Sequence, residues 1–121
     1  GEMAAAQVGT WPFKYDYTTS PPAMAAAEAL SVGLPTVGTE VSCVEAVIED
    51  GVNGDLVPPA DPKALAAALV RLLKDRETWD RYATAGPESV TRRLSWEGMG
   101  RAVAQAYAEV VGSEVDTRQA V

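Results

Sequence analysis

The chain has 121 residues, 47% of them hydrophobic, and a formal net charge of −7, with no histidine and one cysteine, Cys43. At that length a single domain buries about two-thirds of its unfolded surface, and the negative charge repels a nucleic-acid backbone, so no nucleic-acid partner is expected. Without histidine and with one thiol, disulfide frameworks, Cys/His zinc sites and Ser-His-Asp or Cys-His catalysis within the chain are excluded, which leaves carboxylates, hydroxyls and backbone amides to do any chemistry.

In chain order, residues 1–7 read as the end of an Ala-rich helix, and residues 8–13 as a short strand stopped by Pro12. Residues 14–20 form a polar, aromatic-containing loop. Pro21 and Pro22 then suit a first helical turn, where missing N–H groups cost little, with Ser20 as N-cap. That helix runs through residues 23–30 to Gly33, which tolerates positive φ, and its Ala-rich face lets it lie close on a sheet. Residues 35–39 make a second strand and residues 44–48 one or two helical turns ending at Asp50-Gly51. Val52-Asn53-Gly54 is turn chemistry. Residues 55–57 make a third strand, stopped by Pro58-Pro59. Strands alternating with helices at these spacings predict parallel βαβ units rather than hairpins.

Asp61-Pro62 is a helix start with Asp as N-cap and Pro at the first helical position. Leu65, Leu69, Leu72 and Leu73 share its apolar face, and Lys63, Arg71 and Lys74 project away. A second helix follows Asp75 and carries Trp79, Tyr82 and Ala83 until Gly86-Pro87 disturbs it, with a continued helical course through residues 88–93 left open. Ser95 caps a third, whose Trp96, Met99, Val103, Tyr107 and Val110 form an apolar stripe. Trp79, Trp96 and Tyr107 read as core or interdomain packing, Glu45 and Glu49 as surface charges, and Cys43 as a small buried residue. Residues 1–112 are expected to be one domain and 113–121 a flexible tail. No apolar run reaches the ~18–20 residues that span a bilayer and no signal-peptide pattern is present, so the chain reads as soluble and cytoplasmic.

Glu28-Ala29-Leu30, Gly33-Leu34-Pro35-Thr36-Val37, Glu45-Ala46-Val47, Glu49-Asp50-Gly51-Val52-Asn53-Gly54, Leu56-Val57-Pro58-Pro59 and Asp61-Pro62 occur in that order, followed by Ser95-Trp96 before the last helix. This ordered set resembles the donor-binding region of retaining glycosyltransferases of the GT-B fold, the group with glycogen-synthase-like and phosphatidylinositol-mannosyltransferase-like enzymes, over about residues 3–112. The resemblance implies an α/β, partial Rossmann-like fold, the C-terminal part of a GT-B donor domain, with short parallel strands and C-terminal helices.

It also implies a nucleotide diphosphate sugar as ligand, with Glu28 receiving the two ribose hydroxyls, a geometry that a carboxylate's two oxygens match. The amides of Ala23 and Met24, at a helix start beyond a strand's carboxyl end, are candidate diphosphate donors. The family often has a second glutamate eight positions earlier; here that position is Ser20, and Thr18-Thr19-Ser20-Pro21-Pro22 looks like the Thr/Ser-Pro-Pro variant of that loop, whose hydroxyls would bind phosphate or sugar. No residue is assigned to catalysis, and neither a metal nor another cofactor is implied.

The family's phosphate-neutralising Arg and Lys lie earlier in the domain, and its acceptor contacts come from an N-terminal domain, both outside this chain. Residues 1–62 hold nine acids and one base, Lys14, which fits the loss of those cations. The fragment is therefore expected to be inactive alone and to self-associate through an unpaired strand edge, with any peripheral membrane contact made only by the missing domain. Two alternatives stay open: a degenerate, non-catalytic assembly or regulatory module on the same fold, and a sugar-nucleotide epimerase on a related one.

Overall fold

The computed structural model of the chain describes residues 6–15 and 23–112. The expectations for Thr18, Thr19, Ser20, Pro21, Pro22 and the tail 113–121 lie outside the described residues. Ala6 and Gln7 are not helical.

Three short strands, β1 (Gly9–Trp11), β2 (Thr36–Thr39) and β3 (Gly54–Val57), pair in parallel in the order β1-β2-β3, with Thr10 opposite Val37 and Val37 opposite Asp55. Each connection between them passes through a helix, α1 (Met24–Ser31) and then the single turn α2 (Ser42–Glu45), as the alternation of elements predicted. After β3 come α3 (Pro62–Lys74), α4 (Arg76–Leu94) and α5 (Trp96–Val111).

Side chains alternate across a strand, and here the alternation sorts the core into two layers. On one face Ala26, Ala27 and Leu30 of α1 pack with Val44, Val47 and Ile48, while Trp11 and Leu56 close the layer from the sheet. Gly38 makes that contact possible, because a Cβ there would collide with Val44 and Ile48. On the other face Val37 and Val57 meet Ala68 and Leu72 of α3 and Tyr82 of α4. The helix start at Asp61 is as expected, its carboxylate accepting the Ala64 amide at 3.0 Å. Leu73 departs from the apolar face predicted for it and is 53% exposed.

Gly86-Pro87 does not interrupt α4, which is continuous across both residues. The proline removes one backbone hydrogen bond, but the two halves are held in line by opposite layers of the core: Trp79 and Tyr82 pack on one face, Val90 and Leu94 on the other. Gly86 lies where they cross over, so close to α1 that a Cβ would come within 2.8 Å of the Leu30 carbonyl oxygen. In α5 the expected cap is present, Ser95 Oγ accepting the Gly98 amide at 3.0 Å. Its apolar stripe is not core, however: Trp96 is 83% and Val110 84% exposed, and Ala104 alone of this helix is buried.

Candidate functional site

Because all three strands are parallel, their carboxyl ends share one edge, the edge where open α/β sheets place ligands. The segments leaving it are residues 12–15 after β1, 40–41 after β2 and 58–61 after β3. Thr39, at the end of β2, ties two of these together: its hydroxyl donates to the Phe13 carbonyl at 2.7 Å. Between the segments and the start of α3 lies a cavity of about 400 Å³, lined by Pro12, Lys14, Thr39, Pro58, Ala60, Asp61, Pro62 and Leu65. Lys14, the one base of the first 62 residues, is thereby placed at this edge.

The start of α1 and the end of β1 pack against the same core layer, through Ala23 and Trp11. Ala23 is extended (φ −70°, ψ 90°), and among the described residues no side chain caps the helix. Its amide was expected to face a diphosphate; instead it donates to the Cys43 carbonyl at 2.8 Å, because α2 folds back over the start of α1. Of the proposed pair, Met24 therefore keeps a first-turn amide on offer. Glu28 lies one turn further on. Its neighbours Ala27 and Ala29 are buried while Glu28 is exposed, and its carboxylate makes no hydrogen bond or ion pair among the described residues.

Three polar groups carry more than their sequence suggested. Glu49 is a clamp and not a bare surface charge, since one of its oxygens takes Arg92 and Arg93, each at 3.0 Å. Asn53 is no left-handed turn residue: the positive φ of that turn, +77°, belongs to Gly51. The Asn53 side chain is fully buried, accepting the Glu49 amide at 2.9 Å and donating to Ser89 Oγ at 2.9 Å and to the Val47 carbonyl. Asp55, in the middle of β3, accepts from Tyr82 at 2.7 Å and from Arg71, which returns to the sheet where it was expected to project away. Burial, helped by the bond to Asp55, pushes the Tyr82 hydroxyl up to about 12, and Asp55 raises the Arg71 guanidinium further.

A carboxylate inside an apolar strand was a legible sign that Asp55 needs partners; nothing local marked Asn53 or Glu49. Glu49 and Asn53 hold α4 to the segment ahead of β3, Asp55 holds α3 and α4 to the sheet, and none of the three lines the cavity. Among the described residues no group of three or more acidic or thiol ligands could hold a metal, and no helix is long and apolar enough to cross a membrane.

The family model for "Glycosyl transferases group 1" matches residues 2–75. Phosphatidyl-myo-inositol mannosyltransferase of Mycobacterium leprae is 38% identical over 86 residues, which cover 71% of this chain and 23% of that protein. Sucrose-phosphate synthase from Thermosynechococcus elongatus superposes with a TM-score of 0.73 at 29% identity, over 92% of this chain and 27% of the other. Anabaena Alr3699/HepE, solved with UDP-glucose, gives a TM-score of 0.71 at 22% identity over 92% and 29%, a likeness of fold alone. The chain thus spans about a quarter of the length of these proteins.

Proposed function

The chain belongs to the glycosyl transferases group 1 family, and from that premise we propose that it is the donor-binding part of a retaining glycosyltransferase. Residues 1–112 form the nucleotide-sugar-binding unit. An N-terminal domain outside this sequence supplies the acceptor site and the cations that neutralise the diphosphate. The observation that carries this reading is Glu28: exposed, without a partner among the described residues, on α1, whose start at Ala23 packs against the same core layer as Trp11 of β1. A carboxylate so placed receives a vicinal diol while the Met24 amide and the positive end of α1 favour a phosphate. Thr18, Thr19 and Ser20 precede that start in sequence and would add neutral hydroxyl donors. Complexes of HepE with UDP and with UDP-glucose support a nucleotide diphosphate sugar as the ligand class.

The chain by itself is expected to transfer no sugar, because half of the cleft lies outside it; turnover of labelled donor by the 121 residues would refute this. Binding is tested by titrating UDP and GDP into the ¹⁵N-labelled chain and reading the Met24, Ala25 and Glu28 amides. Shifts confined to these residues support the site. In a complete enzyme carrying this domain, Glu28→Gln should weaken donor binding about ten- to a hundredfold, the loss of two hydrogen bonds to a charged group. Glu109→Gln, far along α5 in the sequence, serves as control; Glu49→Gln does not, since it releases Arg92 and Arg93. An unshifted spectrum with both nucleotides would favour the non-catalytic assembly module.

A further inference from the structure

We propose that Asn53 is a positioning residue for the start of α1, acting through the segment between them; only the functional consequence rests on the donor-site reading above. The helix α1 has eight residues, too few to be stable alone, with no side-chain cap among the described residues and no acidic residue in its first turn. Its start must be held by tertiary contacts. The bond from the Ala23 amide to the Cys43 carbonyl, at 2.8 Å, supplies one.

Cys43 sits in α2, a single turn that has no stability of its own and takes its position from both of its ends. At the near end the Glu40 amide donates to the Val57 carbonyl at 2.9 Å, and along the turn and its exit Val44 and Ile48 press on the sheet over Gly38. At the far end the chain leaves through residues 47–49, and there Asn53 grips it twice, accepting the Glu49 amide and donating to the Val47 carbonyl at 3.3 Å. The amide's orientation is unambiguous: a flip would set its oxygen against a carbonyl and its NH₂ against an N–H. The same NH₂ donates to Ser89 Oγ, which donates to the Gly86 carbonyl at 2.9 Å inside the long helix α4.

Asn53 therefore links the rigid α4 to the strut that carries Cys43. Asn53 is fully buried, so truncating it leaves the Val47 carbonyl and Ser89 Oγ without their buried donor, and the cost falls on the segment it holds. The Glu49 clamp on Arg92 and Arg93 supports the same exit from outside, but it is exposed and weaker.

Amide hydrogen exchange on the full chain tests the link, because it reads the Ala23 bond directly and needs no ligand. In the parent, Ala23 should be protected. In Asn53→Ala, and in smaller degree in Ser89→Ala, Ala23 should exchange about tenfold faster relative to Val37 of the central strand, whose exchange follows global opening. Tyr82→Phe, on the other face of the sheet, should speed both amides alike and leave their ratio unchanged.

Should Asn53→Ala fail to fold, Ser89→Ala carries the same comparison. Equal acceleration of Ala23 and Val37 in the variants, or an unprotected Ala23 in the parent, overturns the proposal. Where the ratio changes, titration of UDP and GDP into the variants should show the Met24 shifts reduced at equal nucleotide concentration. Failure of the donor reading is distinguishable: it leaves the exchange ratios intact while Met24 and Glu28 do not respond to nucleotide in the parent.

Discussion

The helices α3 and α5 begin alike, Asp61 accepting the Ala64 amide and Ser95 the Gly98 amide, both at 3.0 Å, and each carries an apolar stripe at helical spacing. In α3 that stripe meets the second face of the sheet: Leu72 is 1% exposed and Ala68 is buried beside Val37 and Val57. In α5 the stripe of Trp96, Met99, Val103, Tyr107 and Val110 faces out, and the helix is held mainly through α4. An amphipathic pattern states that a helix needs an apolar partner without saying where the partner is. For α3 it is Val37 and Val57 of the sheet. For α5 none exists among the described residues, and exposed apolar surface of that kind marks an interaction face.

Truncating the two stripes should separate them most sharply. Leu72→Ala should cost about 2–5 kcal/mol, the range for a leucine emptied from a packed core, whereas Val103→Ala should stay within about 0.5 kcal/mol; urea denaturation of both variants measures the gap. Equal losses would mean that α5 is packed as firmly as α3 and would break the comparison. Next in size is Gly86→Ala, which sets a methyl within 2.8 Å of the Leu30 carbonyl oxygen and should destabilise by about 1–3 kcal/mol through overpacking.

A pH effect belongs to the α3 side alone. The Tyr82 hydroxyl, raised to about 12 by burial and then by its bond to Asp55, titrates near 10 in the unfolded chain. A group whose folded value is raised contributes stability that is complete below the unfolded value and is lost as pH rises through the folded one. The parent should therefore lose stability from about pH 10 to 12 more steeply than Tyr82→Phe, and parallel curves would show that Tyr82 is not held neutral by the fold. The smallest expected signal concerns association. Sedimentation should show concentration-dependent self-association that Val103→Asp weakens without changing the melting temperature; a parent that stays monomeric at high concentration would count against an adhesive α5.

Local rules made much of this fold legible. The caps Asp61 and Ser95, the stops at Pro12 and Pro58, and the turn glycines act within three or four residues of themselves, and the alternation of short strands with helices left parallel pairing as the economical solution. The ordered motifs from Glu28 to Asp61 point to the family by themselves. The misreadings share a cause. The ring of Pro87 disturbs a helix locally, but the packing of α4 on both core layers outweighs one missing bond and the helix continues through residues 88–93. Ala23 was read from its place at a helix start, but its amide goes to Cys43, twenty residues on.

What the sequence determined by itself is therefore whatever depends on neighbours along the chain: element types, caps, strand stops, the acidic N-terminal half and the motif set around Glu28. Tertiary structure alone decided which polar groups are locked together, because Asn53 meets Ser89 across 36 positions and Glu49 meets Arg92 across 43. A side chain's donors and acceptors are visible in sequence, but a hydrogen bond forms only within about 3 Å, and that proximity exists only once the sheet has brought α1, α2 and α4 together.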